Sequence, residues 1–157
     1  MAILISVLAL LATFYQLYLQ RIHNEKSLKP LGQIVLEDQR KTLAVHLRNN
    51  GLGPLIIDKL SCSKNGVFHA DLEECLALAP KSYLFAPTND SVTRVVLPNS
   101  SLTIFETRFD EYEDNAAIEH ARKQLAPITL KVQFRDIYDN RTTLERDFQW
   151  FLRYANK

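Results

Sequence analysis

The sequence predicts a mainly β protein, in which an N-terminal transmembrane helix precedes an antiparallel β-sandwich with one helix inserted late. An uncharged apolar run occupies residues 2–19. About seven short segments that alternate apolar and polar residues follow at intervals of roughly 8–14 residues, and one amphipathic segment lies at 110–127. Short strands at this spacing favour an antiparallel sandwich over a parallel α/β sheet.

Length and charge set limits on the organisation and on the partner. The chain of 157 residues has room for one anchor and one domain of average size. We divide it into an anchor at 1–20, a stalk at 21–32 and a sandwich domain at 33–153. Nineteen basic residues oppose 18 acidic ones, a net charge of +1. This balance provides no long-range field for a phosphate backbone, so we expect no nucleic-acid partner.

The N-terminal run has the composition of a membrane anchor. Eighteen helical residues span about 27 Å, close to the ~30 Å hydrocarbon core. Tyr15 and Tyr18 lie near the end of the run, where aromatic rings favour the interface. A cleaved signal sequence is the main alternative, but it would need a basic residue before the run and a small-x-small site after it. The sequence has neither, so we expect an uncleaved single-pass anchor.

Charges beside the anchor predict its orientation. Arg21, Lys26 and Lys29 follow the apolar run, and no charged side chain precedes it. The positive-inside rule then places the C-terminal domain in the cytoplasm.

The redox state of Cys62 and Cys75 depends on that orientation. Their separation predicts a disulfide if the domain is exported to an oxidising compartment, and two free thiols if it is cytoplasmic. Two cysteines are too few for a disulfide framework, and no CxxC motif is present.

The first strands follow the stalk. QIVLED at 33–38 and TLAVHLR at 42–48 alternate apolar and polar residues, as half-buried strands do. The segment NNGLGP then separates TLAVHLR from a third apolar strand, LIIDKL at 55–60.

The NNGLGP segment holds two of the four glycines in the chain. Asn and Gly accept positive φ, and Pro fixes its own φ, so we interpret the segment as a structural turn. A phosphate-binding loop is the alternative, but no GxGxxG or GxxxxGK[ST] motif is present and no helix follows. The turn residues are Asn49, Asn50, Gly51, Gly53 and Pro54.

The middle of the chain is less regular. DLEECLALAP at 71–80 predicts a brief helix, because an Asp at its start can cap it and a Pro closes it. We expect a loop at 81–90, followed by strands in VTRVVLP at 92–98 and SLTIFET at 101–107.

The C-terminal part predicts a helix and a hairpin. Ile118, Ala121 and Leu125 form one apolar stripe of the late helix. ITLKVQF at 128–134 and TLERDFQWFL at 143–152 alternate as two strands joined by a tight turn. On that pattern Trp150 lies on the buried face and anchors the core.

Three segments resemble a known group of proteins. LRNNGLGPLII is similar to an N-x-G-x-G-P-A-x-I strand exit, VVLPNSSLTIFE to an L-P-x-G-x-S turn, and VQFRDIYDNRTTLERDF to a Y-x-D-x-y-G-n-x-y hairpin. These patterns occur in small, membrane-anchored β-sandwich proteins of unknown function in bacteria. The sequence departs from them at Leu55, where Ala is usual, and at Asn99 and Asp139-Asn140, where Gly is common. The resemblance implies an immunoglobulin-like fold and a bacterial inner-membrane location, but it implies no activity.

No motif for chemistry is present. The sequence has no GxSxG or HExxH, and the four histidines, His23, His46, His69 and His120, are scattered singly. We therefore predict no catalytic, cofactor-binding or metal residue, and a noncatalytic module that binds a protein partner. The alternatives are an enzyme or metal-dependent binder whose site residues are dispersed in the chain, and an accessory subunit of a membrane complex. The anchor has no GxxxG pattern that would favour helix pairing.

Overall fold

A computed structural model of the chain describes residues 1–39, 41–69, 72–76, 78, 83–85, 93–110, 112 and 115–153. The elements in chain order are helix α1 (Ala2–Ser27), strands β1 (Gly32–Gln39), β2 (Thr42–Asn49), β3 (Leu55–Lys64) and β4 (Val67–His69), helix α2 (Leu72–Cys75), strands β5 (Leu84–Phe85), β6 (Arg94–Val96) and β7 (Ser101–Arg108), helix α3 (Asn115–Leu125), strands β8 (Ile128–Arg135) and β9 (Arg141–Asp147), and a 3-10 helix (Gln149–Leu152).

The strands form two antiparallel sheets. The first has the order β1-β2-β7-β5, and the second has the order β4-β3-β8-β9, with β6 also paired to β3. Every strand pair among the described residues is antiparallel, which confirms that part of the prediction. The β8–β9 hairpin and helix α3 are also confirmed, with the predicted stripe of α3 buried.

One hydrophobic cluster connects the two sheets. It contains Val45 and Phe105 of the first sheet, Leu60 and Val132 of the second, and Ile118 of α3, all buried. Alternate residues of β8 supply it, because successive side chains of a strand point to opposite faces.

Strand register defines two ends of the β domain. At one end Gly32 pairs with Asn49, and Arg135 with Arg141. We call this the helix-proximal end, since α1 leads into it; it comprises residues 28–32, 49–55, 96–101 and 135–141. At the other, the helix-distal end, Lys64 pairs with Ile128. Eight residues of strand separate the two ends by about 25 Å.

Helix α1 is long and apolar enough to cross a membrane, and none of its residues is buried against the domain. A signal sequence meets the same criteria of length and composition. The hydroxyl groups of Ser6 and Thr13 donate to carbonyls one turn back, so neither leaves an unpaired donor on the apolar surface. The helix also continues through residues 21–27, so most of the predicted stalk is helical.

The prediction for Trp150 is wrong. Strand β9 ends at Asp147, and the chain then enters the 3-10 helix. The spacing of three residues in such a turn places Phe148 and Phe151 on one side, and both are fully buried. Trp150 is 37% exposed, with the guanidinium of Arg153 stacked 3.4 Å from its ring centre.

Two predictions in the middle of the chain are tested only in part. The brief helix is present as α2, but residues 71 and 80, its predicted cap and stop, lie outside the described residues. The predicted loop at 81–90 contains strand β5, which pairs with β7. The rest of that loop, apart from residue 83, is outside the described part of the chain.

Candidate functional site

The predicted turn at residues 49–54 packs against residues 28–31, the segment that connects helix α1 to the β domain. Asn49 is fully buried at the end of β2. Its side-chain amide donates to the carbonyls of Gly53 at 2.8 Å and Val96 at 3.1 Å. Its side-chain oxygen accepts from the backbone N–H of Leu31 at 3.2 Å and of Gly51 at 3.0 Å. One side chain therefore holds together three segments of the helix-proximal end.

The other residues of the turn lie against the chain that leaves α1. The backbone N–H of Asn50 donates to the Leu31 carbonyl at 2.9 Å, and its side chain donates to Gln33. Pro54 is half-buried directly before β3. These contacts fix the direction in which the chain passes from the helix into the sheets.

The two glycines of this turn are required for a reason other than the predicted one. Neither Gly51 nor Gly53 has φ in the left-handed region; among the described glycines only Gly66 does, at +81°. An added Cβ at Gly53 would instead lie 1.7 Å from the carbonyl oxygen of Leu28. The glycines are needed because the backbone of residues 28–31 passes directly over them.

The β8–β9 turn at the same end is built on Asp136, which is buried. Its carboxylate accepts from the backbone N–H of Tyr138 at 2.8 Å and from the backbone and side chain of Asn140, each at 2.9 Å. Burial acts to raise the pKa of Asp136, but these hydrogen bonds outweigh it, with a contribution from Lys29, and the pKa lies below its usual value.

We expect Asp136→Asn to destabilise the full-length chain by about 1.5–3 kcal/mol near neutral pH, because hydrogen bonds to a carboxylate are lost. Since folding lowers the pKa of Asp136, its stabilisation is complete above about pH 4 and is lost as the pH falls through the folded pKa. Thermal unfolding between pH 3 and 7 checks this. Glu145→Gln, at an exposed position of β9, is the control. An acid slope that is the same in wild type and Asp136→Asn would contradict the assignment.

The two cysteines lie side by side in the core. Cys62 is on β3 and Cys75 ends α2, and both are buried as thiols with their sulfur atoms 3.2 Å apart. The ammonium of Lys64 donates to the Cys75 carbonyl at 2.7 Å and holds the end of α2 on the sheet. A disulfide would therefore need only a small side-chain movement.

Mild oxidation of the folded chain is expected to remove two titratable thiols and join Cys62 to Cys75. The cross-link closes a loop of 14 residues (75 − 62 + 1) and should stabilise the fold by about 3 kcal/mol. Thiol counting and thermal unfolding before and after oxidation measure both effects. Cys75→Ser is the control and should show neither. Oxidation that yields only intermolecular dimers would contradict the observed proximity.

A groove of about 650 Å³ opens at the helix-distal end. Its walls come from the β3–β4 turn, the end of α3, the start of β8, the end of β9 and the 3-10 helix. Lys123 and Asp147 place one charge of each sign in it, and Ala126, Pro127 and Leu152 supply apolar surface. The remaining lining residues are Asn65, Gly66, Thr129 and Gln149.

Strand β4 adjoins this groove and forms an edge of the second sheet. It follows directly from Gly66 in the groove wall and pairs with β3 along one side. Its other side pairs with no strand among the described residues. Val67 and Phe68 on it are 61% and 73% exposed, so an apolar, unpaired strand edge borders the groove.

A second, more polar cleft of about 450 Å³ lies on the outer face of the first sheet. His46 lines it, half-buried, with one ring nitrogen 3.2 Å from the Thr103 hydroxyl and the other 3.5 Å from a Glu37 oxygen. Glu106 and Arg108, two residues apart on β7, also line it and pair with each other at 2.6 Å. In the described part of the chain no group of three His, Cys, Asp or Glu could hold a metal ion.

Comparison of the sequence with protein-family models finds no match, and neither does comparison with curated proteins. The resemblance carried by the NNGLGP, LPNSS and YDNRT segments therefore stays a prediction. The part of it that the structure supports is an N-terminal apolar helix followed by antiparallel sheets.

The turn at Asn49 is visible in the sequence, but the groove is not. Three separate segments, 65–66, 123–129 and 147–152, build the groove, and none of them carries a recognisable motif. The one local signal was the pair Val67-Phe68 directly after Asn65-Gly66, two apolar residues beside a tight turn. The role of the Asn49 side chain was also missed, since two of its partners lie 18 and 47 residues away.

Proposed function

We propose that this chain is a noncatalytic, membrane-anchored interaction module that binds a protein partner at its helix-distal end. The observation that carries the proposal is the groove beside β4. A concave site that combines apolar surface with one charge of each sign suits a side chain of a partner protein. An open strand edge next to it suits backbone pairing with an extended segment of that partner.

The arrangement of the two sheets fits this role. In the proposal they pack face to face as an immunoglobulin-like sandwich, supported by the single buried cluster to which both contribute. The helix-distal end is then the part of the domain farthest from the anchor, about 25 Å beyond the junction with α1. A partner can approach it without meeting the membrane.

Among the described residues, the ionisable groups whose pKa values are shifted support a noncatalytic role. The hydrogen bond to Asp38 raises the pKa of Arg122, and the hydrogen bond to Asp139 raises that of Arg135. Arg122 holds α3 on β1 through two bonds to Asp38, at 2.7 and 3.1 Å. Together with Asp136, these groups bind neighbours within the fold, and none of them lines the groove.

We further propose that α1 spans a bacterial inner membrane once, with the domain in the cytoplasm. The support is the apolar helix itself and the basic residues Arg21, Lys26 and Lys29 after it. Reporters fused after Lys157 test the orientation: one that fluoresces only in the cytoplasm should be active, and one active only after export should be silent. The reverse pattern would place the domain outside the cytoplasm.

Site-specific photocross-linking in intact membranes tests the binding site. A photoreactive residue at Leu152 or Phe68 should give a light-dependent adduct of defined mass with a protein partner. The control is Gln133, which is exposed in the middle of the outer face of β8. Adducts at all three positions, or at none, would contradict binding at the groove. Leu152→Glu, with the photoreactive residue at Phe68, should abolish the adduct by placing a charge in the groove.

A further inference from the structure

We propose that the helix-proximal end of the domain is itself a lipid-binding surface, which rests on the membrane and holds the domain upright. The inference rests on the proposed anchoring by α1 and concerns a different part of the domain from the groove. Its starting observation is a set of large apolar side chains that protrude from four loops at this one end. We call this set the apolar rim: Leu31, Leu52, Leu97, Ile137 and Tyr138.

The exposure of the rim is high and is concentrated at one place. Leu52 and Leu97 are 66% and 62% exposed, Leu31 is 56%, and Ile137 and Tyr138 at the hairpin tip are 48% and 39%. Isolated exposed apolar residues are ordinary, but a group that converges on one end of a domain marks an interaction surface. These residues lie in turns, so packing in the core does not explain them.

The rim is fixed relative to the end of α1. Asn49 ties the chain after the helix to the loop that carries Leu52 and to β6, which leads to Leu97. The hairpin lies beside the helix: Glu25, Lys26 and Lys29 line a cleft of about 340 Å³ together with Asp136 and Arg141. The rim therefore faces whatever surrounds the C-terminal end of α1.

The distance to the hydrocarbon is short enough for contact. The apolar part of α1 ends at Leu19, and Glu25, beside the hairpin, is six residues further, or about 9 Å along a helix axis. The headgroup layer is roughly 5–8 Å thick. With the usual tilt of about 20°, long side chains at the hairpin tip reach that layer.

The charges around the rim are those of a surface that binds anionic lipid. Lys26, Lys29 and Arg141 line the cleft between α1 and the β8–β9 turn, next to the rim, and basic residues beside apolar ones are typical of interfacial binding. The nearby acidic groups are already engaged. Glu25 pairs with Arg21 at 3.2 Å, Asp139 pairs with Arg135, and Asp136 accepts hydrogen bonds within its turn. A tyrosine at the tip suits the interface, where its ring and hydroxyl are both favoured.

Tryptophan quenching by brominated lipid tests the proposal. Trp150 is the only tryptophan in the chain and lies at the helix-distal end, so the native full-length protein is the control. In a Trp150→Phe background, Ile137→Trp and Leu52→Trp place the probe in the rim at exposed positions. Each chain is reconstituted into phosphatidylcholine vesicles that contain phosphatidylglycerol, with bromine near the headgroup end of the acyl chains.

We expect the probe at 137 to lose most of its emission and the probe at 52 to lose a smaller part, whereas Trp150 is unaffected. Less quenching at 137 in vesicles without phosphatidylglycerol would confirm that the anionic headgroup contributes. Equal quenching at all three positions, or none at 137, would overturn the inference. So would a blue shift at 137 that occurs without bromine-dependent quenching, because it would show that copies of the chain contact one another.

Flotation of the vesicles separates this inference from the proposed anchoring. If α1 does not hold the chain in the membrane, the protein stays at the bottom of the gradient, and the anchoring fails before quenching is measured. If the protein floats but the rim probes are not quenched, the anchor stands and the lipid-binding surface is rejected.

Discussion

Gly53→Ala is expected to destabilise the full-length chain by about 3 kcal/mol or more, an unusually large effect for one added methyl group. The methyl carbon would lie 1.7 Å from the carbonyl oxygen of Leu28 and 2.6 Å from its carbonyl carbon. These are backbone atoms, so no side-chain rotation relieves the overlap. The segment at residues 28–31 must move away from the turn at residues 49–54. The hydrogen bonds that Asn49 makes to these two segments are then strained or broken.

Gly66→Ala is the matched control for this prediction. Gly66 has φ of +81°, and an added Cβ there would meet nothing within 4 Å. Its cost should be that of a left-handed backbone alone, about 1–2 kcal/mol. Thermal unfolding of both variants in detergent compares the two causes. Equal losses for Gly53→Ala and Gly66→Ala would show that the close approach of residues 28–31 does not contribute to stability.

Asn49→Asp should be at least as damaging, at about 3–5 kcal/mol, although the side chain keeps the same number of non-hydrogen atoms. The two N–H groups that donate to Gly53 and Val96 become a carboxylate oxygen that faces both carbonyls. The site is fully buried, so water cannot compensate. Because burial would raise the pKa of this carboxyl, the penalty should diminish as the pH is lowered toward about 4.

The neighbouring Asn50→Asp provides the comparison. Asn50 is exposed, and its side chain donates a single bond to Gln33. Its replacement should change the free energy of unfolding by roughly 0.5 kcal/mol or less. Similar unfolding curves for the Asn49 and Asn50 variants would contradict the role of Asn49 as the hydrogen-bonding centre of the helix-proximal end.

Gly53 and Asn49 show how far the sequence predicts the fold. Strand β8 and helix α3 can be predicted from local periodicity. In a strand every second residue faces the core, and in a helix every third or fourth does, so the apolar spacing identifies each element. The turn at Asn49 was recognised from composition. Composition did not reveal why the turn needs glycine, because the reason is a contact with residues 28–31, at least 20 positions earlier.

The C-terminal end shows a second limit. The alternation Phe148, Trp150, Leu152 continues the pattern of β9, but the chain has already left the strand. The switch to a 3-10 helix changes the period from two to three and exchanges Trp150 for Phe151 in the core. Apolar spacing alone could not predict where that switch occurs.

The candidate sites were harder to predict than the fold. The helix-distal groove depends on three segments and the apolar rim on four, and these segments come together only in the folded domain. The rim left one trace in the sequence, which is a leucine in each of two tight turns, Leu52 and Leu97. Only their position beside α1 in the folded domain identifies these two leucines as parts of one surface.

The first measurement should establish whether α1 remains in the membrane, since the proposed function and the lipid-binding surface both require it. Membranes from cells that produce the chain are extracted at alkaline pH, and the mass of the intact protein is determined in each fraction. We predict a chain of 18.1 kDa that stays with the membrane after extraction. A soluble chain that has lost the apolar run of residues 2–19 would identify that run as a cleaved signal and contradict the anchored module.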